Sequence, residues 1–415
     1  MNLRYSKCLV VLCILAKAIS LPAVSTAAES KVITEAKTLF VLATECPPGF
    51  ELMENNACEF RNLYRLYSSL QNAGVGGLKT NLPEIREGFS PQQIDLGRYL
   101  FFDPVLSSDQ SVSCASCHHP KTGFSDAAGR SMGFNGERLA RSAPSLWNVG
   151  FLSSLFWDGR ASSLEQQMQG PLYNQYEMAN TEAELLQRLN AVPLYVELFA
   201  QAFPEAPAGI SLSALYTALA GFESSLISLN SRYDQYAHGY HAALNDDEKE
   251  GMNVFRSFVA RCAECHTPPL FTNQQIAVLG TPEAAGQPFD AGREAVTNVP
   301  ENRGGFKVPS LRNISKTAPY MHSGRFESLR DTVQFYTNGR GHAVPEEEQG
   351  KLTLHWHIWD PKLSDHELDR LVDFLLTLDD ESFTPRIPDV LPSGLPIIGR
   401  LPEILNPEVT LNENR

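Results

Sequence analysis

Cys114-Ala115-Ser116-Cys117-His118 and Cys262-Ala263-Glu264-Cys265-His266 are the two stretches that decide how this chain is built. Each is a Cys-x-x-Cys-His pattern, the spacing for covalent attachment of a c-type haem. Two thiols fix the porphyrin and the adjacent His offers an axial nitrogen to iron. Two Cys-x-x-Cys pairs also suit a zinc site, but Cys117 and Cys262 stand far further apart than the roughly 15–20 residues of a zinc ribbon, and each pair runs directly into His. A thioredoxin-like redox pair would want a βαβ context, which the flanking sequence lacks. Two covalently bound haems are therefore expected, one in each half of the chain.

The segments around these motifs repeat. Ser90-Pro91-Gln92-Gln93 carries an N-cap serine, a proline at the first helical position and a capping-box glutamine ahead of Ile94, Leu96, Tyr99, Leu100 and Phe101. Asn245-Asp246-Asp247-Glu248 gives the same signal ahead of Met252, Phe255 and Phe258, and both helices hold Gly-x-x-x-Phe, at Gly97–Phe101 and Gly251–Phe255. Each helix leads into a haem motif, and each motif into a similar ending, Phe124-Ser125-Asp126 or Phe271-Thr272-Asn273. Ser364-Asp365-His366-Glu367 caps a closing amphipathic helix with Leu368, Leu371, Val372, Leu375 and Leu378. Helices at Thr181–Leu189 and Leu212–Leu226 carry no obvious chemistry. The pattern predicts a mainly α protein of two tandem cytochrome c-like haem domains with long loops, at 86–240 and 241–381. Six prolines in 382–415 break helix and central strand, so an extended strap or loose tail is expected there.

The N-terminus has the order of a secretory signal over 1–27: Arg4 and Lys7, an apolar run from Leu9 to Ala16, then small residues at 25–28. A buried helix would read similarly, although Lys17 interrupts it. Export to the periplasm agrees with c-type haem. In the extension at 28–85, Cys46 and Cys58 read as a disulfide closing a short loop, or as two free thiols. Over 415 residues, 34 Lys+Arg stand against 48 Asp+Glu, a net charge of −14 that argues against a nucleic-acid partner. No apolar run reaches the roughly 18–20 residues that span a bilayer, so an integral membrane protein is not expected.

From about Phe89 to Leu378 the chain resembles the bacterial di-haem cytochrome c peroxidase and MauG family. The matching stretches are Leu96-Gly97-Arg98-Tyr99-Leu100-Phe101-Phe102-Asp103-Pro104, Phe156-Trp157-Asp158-Gly159-Arg160, Phe306-Lys307-Val308-Pro309-Ser310-Leu311-Arg312-Asn313 and Pro319-Tyr320-Met321-His322-Ser323-Gly324-Arg325. The resemblance implies a peroxide-reactive first haem, a second haem as electron relay, and a bridging tryptophan, here Trp157, which outside this motif would read as a core filler. Gln167, Pro171 and Glu177 fall on the distal positions of the peroxide haem, with Glu177 as the acid–base group; alone it would read as a solvated loop residue. No histidine occurs between His119 and His238, and Phe134 stands where many family members carry a loop histidine. The first haem is therefore expected to be open to hydrogen peroxide at rest. Tyr336 takes the place of the methionine that ligates the second haem in the peroxidases, as in MauG-type enzymes. A phenolate is a hard anionic donor, whereas a thioether raises the potential. A core aromatic beside Phe335, or ligation by Met321, are the other readings.

Thr317 and Pro319 match positions that help to bind calcium, but Ser142 replaces an expected asparagine and is a weaker donor. The leading expectation is a periplasmic oxidoreductase of this family that reacts with hydrogen peroxide and oxidises a partner protein. A conventional peroxidase drawing electrons from a small cytochrome c or cupredoxin, and a non-catalytic di-haem electron carrier, are the alternatives. Homodimers are common among the peroxidases. Residues 28–85 lie outside the resemblance.

Overall fold

A computed structural model of the protein describes residues 40–61, 82–339, 341–356 and 360–397. The expected leader, the stretches 28–39 and 62–81 of the extension and the tail beyond 397 lie outside the described residues. The described residues from Leu42 onward belong to one unit, and Phe40 and Val41 to another.

That unit opens with a hairpin of β1 (Phe50–Leu52) and β2 (Cys58–Phe60), paired antiparallel with Leu52 opposite Cys58. A disulfide joins Cys46 to Cys58. The Cys58 N–H donates to the Phe89 carbonyl at 2.8 Å, which ties the hairpin to the entrance of α1 (Pro91–Phe102). The Ser90 hydroxyl accepts from the Gln93 N–H, and the Gln93 side chain accepts from the Ser90 N–H, so the helix starts where the capping signal puts it. There follow α2 (Cys114–Cys117), α3 (Glu182–Asn190), α4 (Pro193–Ala202), α5 (Leu212–Ser224), α6 (Asp246–Phe255) and α7 (Cys262–Cys265). A second two-stranded sheet pairs β3 (Ile276–Val278) with β4 (Gly305–Lys307), Ile276 opposite Lys307, before α8 (Leu329–Thr337) and α9 (Asp365–Leu376). Capping boxes recur at Thr181/Glu184, Asn245/Glu248 and Ser364/Glu367. One expected detail differs: α6 ends at Phe255, so Phe258 does not continue its apolar face and is 87% exposed.

The repeat seen in the sequence is a repeat of packing. A Cβ added to Gly97 would stand 1.9 Å from the Ala218 carbonyl oxygen, and one added to Gly251 would stand 1.8 Å from that of Arg370. Each glycine thus lets two helices cross backbone to backbone, α1 over α5 and α6 over α9. Beside the crossings Phe101 meets Phe222 at 5.0 Å and Phe255 meets Phe374 at 5.1 Å between ring centroids. Helix α5, which looked chemically silent, is therefore the first closing helix, the counterpart of α9. The second core gathers Met252, Phe255, Phe271, Leu371 and Phe374, with Tyr233 joining from the connecting segment.

Residues 382–397 form neither helix nor strand and run back over α1 as a strap. The Ser393 hydroxyl donates to Asp103 Oδ1 at 2.7 Å, and Arg98 Nη1 donates to the Arg386 carbonyl at 3.3 Å. Asp103 is fully buried and also accepts from the Tyr195 hydroxyl at 2.6 Å. Burial raises its carboxyl above the usual value, against the pull of these donors.

Candidate functional site

Both haem motifs fold alike. A single helical turn carries the two cysteines, and the histidine follows as its C-cap. Phe124 and Phe271 then take the left-handed conformation, φ 57° and 53°, which aims their carbonyls back at the histidine. His118 Nδ1 lies 2.8 Å from the Phe124 carbonyl oxygen; His266 Nδ1 lies 3.1 Å from those of Phe271 and Pro309. A carbonyl can only accept, so Nδ1 carries the proton in both rings and Nε2 keeps its lone pair for a metal. Burial holds both rings in the neutral form, lowering His118 from its usual value and pushing His266 down to about 4.

Two cavities open in front of these rings. The first, about 860 Å³, falls within the roughly 300–1,000 Å³ of cofactor and ligand clefts. Cys117 and His118 line it, together with Gln167, Pro171 and Glu177, so the distal residues expected from the sequence share one chamber. Glu177 accepts from Asn174 Nδ2 at 2.7 Å; burial raises its carboxyl above the usual 4.5 while Asn174 and Arg160 pull it back. Among the described residues on this wall His118 is the one histidine. His119 is buried and turned to its own loop, its Nδ1 accepting from the Lys121 N–H.

The second cavity is lined by Cys262, Cys265, His266 and Tyr336, with Met321, Thr317 and Pro319 on the same wall. Tyr336 projects from α8, and among the described residues its hydroxyl has no hydrogen-bond partner. Burial, then the nearby Cys262 and Cys265, raise its phenol above the usual value. His322 belongs to this wall but is held elsewhere, with Nε2 3.0 Å from Glu283 and the ring stacked 3.8 Å from that of Phe306. The Thr317 and Ser142 hydroxyls donate to the carbonyls of Ile314 and Met321. Among the described residues lining this cavity no carboxylate joins them.

Trp157 lines both cavities, its indole N–H donating to the Ser142 carbonyl at 2.9 Å. The residues after it lock it in place. Asp158 takes Arg141 and Arg160 at 2.7 and 2.8 Å, and Arg293 donates to the Asp158 and Gly159 carbonyls. The two cysteine pairs do not converge. Cys117 lines the first cavity, and Cys262 and Cys265 line the second. A thiol pair, a neutral histidine and an open chamber, repeated once, fit two haems.

Three residues went unread. Glu223, the one charged residue of α5, lines the first cavity at 6% exposure, and burial with nearby Glu165 raises it to about 8. Its isolation in an apolar helix was the available signal. Lys307 lay inside a quoted motif without a role, and Glu283 had no local pattern.

A family model described as di-haem cytochrome c peroxidase matches residues 91–242. The methylamine utilization protein MauG of Methylorubrum extorquens is 36% identical over 302 residues, covering 72% of this chain and 82% of that protein. The chain belongs to the di-haem cytochrome c peroxidase and MauG family. A cytochrome c551 peroxidase of Pseudomonas aeruginosa is likewise 36% identical, over 255 residues, 60% of this chain and 73% of that one. Among solved structures, a MauG-like protein associated with microbial copper homeostasis superposes with a TM-score of 0.68 at 30% identity, covering 75% of this chain and 97% of that one. As a member of the family the protein is a peroxidase-type di-haem oxidoreductase with a mainly helical fold. Among the described residues no helix is long and apolar enough to cross a membrane.

Proposed function

We propose that the protein is a MauG-like member of the family, exported to the periplasm, that takes hydrogen peroxide at the cavity of His118 and draws the two electrons needed from a partner protein through the second cavity. The observation that carries this reading is Tyr336 on the wall it shares with His266, with no hydrogen bond to its hydroxyl among the described residues. Bound haem, attached through Cys114 and Cys117 and through Cys262 and Cys265, supplies each cavity with an iron that changes oxidation state.

The chain's own residues do the rest. His118 and His266 would hold the haem irons through Nε2, each ring fixed in one tautomer by its Nδ1–H bond to a carbonyl. Glu177, its carboxyl raised above the usual value by burial, moves a proton between the two peroxide oxygens, and Gln167 orients the substrate. The absence of a second histidine from the described wall supports a first site open to peroxide at rest. Tyr336 would hold the second haem iron through its phenol oxygen; burial disfavours the free anion, so the phenolate would depend on the bound iron. Trp157, on both walls, couples the two sites.

One observation favours a conventional peroxidase fed by a small cytochrome c or cupredoxin: Met321 offers a thioether on the second wall. The deciding experiment follows the optical and EPR response of the fully ferric protein to one equivalent of hydrogen peroxide, with Tyr336→Phe alongside. The MauG-like reading expects immediate reaction with loss of ferric signal at both haems, and a much weaker response from the second haem in the variant. A ferric protein that is inert until one haem is reduced, and then turns over a reduced cytochrome, overturns it.

A further inference from the structure

A charge enters a protein interior at a large desolvation cost unless a counter-charge meets it. The arginines on the two cavity walls are all engaged. Arg141 and Arg160 share Asp158, Arg261 takes Glu264, Arg312 takes Asp234, and Arg130 and Arg138 bond neutral oxygens.

Lys307 is different. It is 8% exposed, it lines both cavities, and among the described residues nothing pairs with its ammonium. Burial alone pushes it down to about 8. Its place is fixed by backbone: it ends β4 opposite Ile276, and its N–H donates to the Trp157 carbonyl at 2.7 Å. A lone cation is thus built into the boundary between the two chambers, beside the tryptophan common to both. The anionic groups that a haem brings into such a chamber are its propionate carboxylates.

We propose that Lys307 is the counter-charge for haem propionate at this boundary, and that through this pairing the protein raises the reduction potential of the adjoining haem. A fixed positive charge beside the porphyrin favours the ferrous state, which carries one positive charge fewer than the ferric. Lys307 is then a positioning residue, since it acts on iron through the porphyrin carboxylate.

The test is a spectroelectrochemical titration of haem-loaded Lys307→Met, Lys307→Gln and Lys307→Arg beside the unsubstituted protein. Met and Gln should move the ferric-to-ferrous ratio of at least one haem about tenfold toward ferric at a fixed potential, a fall of about 59 mV for a one-electron couple. Arg, which keeps the charge, should hold the original potentials. If Lys307 merely packs, Met matches the parent protein, and unchanged potentials in Met and Gln overturn the proposal. Should both fail to take up haem, Arg decides: normal loading with unshifted potentials supports the pairing, and failure of Arg as well overturns it. The inference rests on both cavities holding haem, which the haem content of the parent protein reports separately.

Discussion

Substituting Gly251 with alanine is the sharpest test of the packing that closes the second cavity. The new Cβ would lie 1.8 Å from the Arg370 carbonyl oxygen and 2.9 Å from Phe374 Cβ, where real contacts stay beyond 3.0 Å, so α6 and α9 must part by about 1.2 Å. A gap of 0.5–1 Å already forfeits roughly a quarter to a half of each dispersion contact across it. Overpacking costs about 1–3 kcal/mol. The Phe255–Phe374 and Tyr233–Phe374 ring pairs, at 5.1 and 5.9 Å, straddle the same seam and are worth about 0.5–1.5 kcal/mol each. Against this, alanine gains about 1 kcal/mol of helix propensity over glycine. The net loss is about 1–5 kcal/mol, read as a lower denaturant midpoint in guanidinium melts of the haem-loaded protein followed at the Soret band. Gly97→Ala, 1.9 Å from the Ala218 oxygen, should do the same to the first haem unit while leaving the second haem's spectrum alone. The sign makes the test decisive. Without the clash, Gly251→Ala would stabilise by about 1 kcal/mol, and a variant as stable as the parent or more so refutes the close crossing.

Further outcomes follow from the two walls. Glu177→Gln should slow the peroxide reaction about 10²- to 10⁴-fold in stopped flow, with haem content unchanged, and an unaltered rate would remove Glu177 from proton transfer. In the parent protein the carboxylate limb of that rate should lie above pH 4.5, because burial raises Glu177. Glu223 has a folded value of about 8 against 4.5, so it binds its proton more tightly when folded; stability falls as pH rises from about 4.5 to 8 and then levels. Glu223→Gln should flatten that slope, by up to about 1.4 kcal/mol per pH unit, in melts across this range. Asp234→Asn strands the buried guanidinium of Arg312 and should cost about 3–5 kcal/mol in denaturant melts; a loss under 1 kcal/mol would show that the pair is easily replaced.

Local signals carried much of this structure. Ser90, Thr181, Asn245 and Ser364 start helices through bonds that span three residues, so each start was legible in a four-residue window. The haem motifs were legible for the same reason. The role of α5 was not, because an apolar helix does not say what it crosses. That depended on Gly97 meeting Ala218 across more than a hundred residues of chain. Gln167, Pro171, Glu177, Trp157 and Tyr336 were picked out through a resemblance, and the fold gathers the first three in one chamber, Tyr336 in the other and Trp157 on the wall of both. Lys307 escaped because a buried cation with no partner among the described residues is a property of three-dimensional surroundings, and Glu283 because its partner His322 lies 39 residues away.

The strap gives the molecule a direction in time. Asp103 sits in the first haem unit, yet Ser393 reaches it across 290 residues. The first haem unit therefore cannot complete this hydrogen bonding until residues 382–397, which follow the second haem motif, are in place. A chain cut short after α9 would hold both haem motifs and both helix crossings, but would leave Asp103 without its Ser393 donor. Residues 382–397 thus act as a seal across the first haem unit, and protease sensitivity around α1 should separate molecules that hold the strap from those cut after α9.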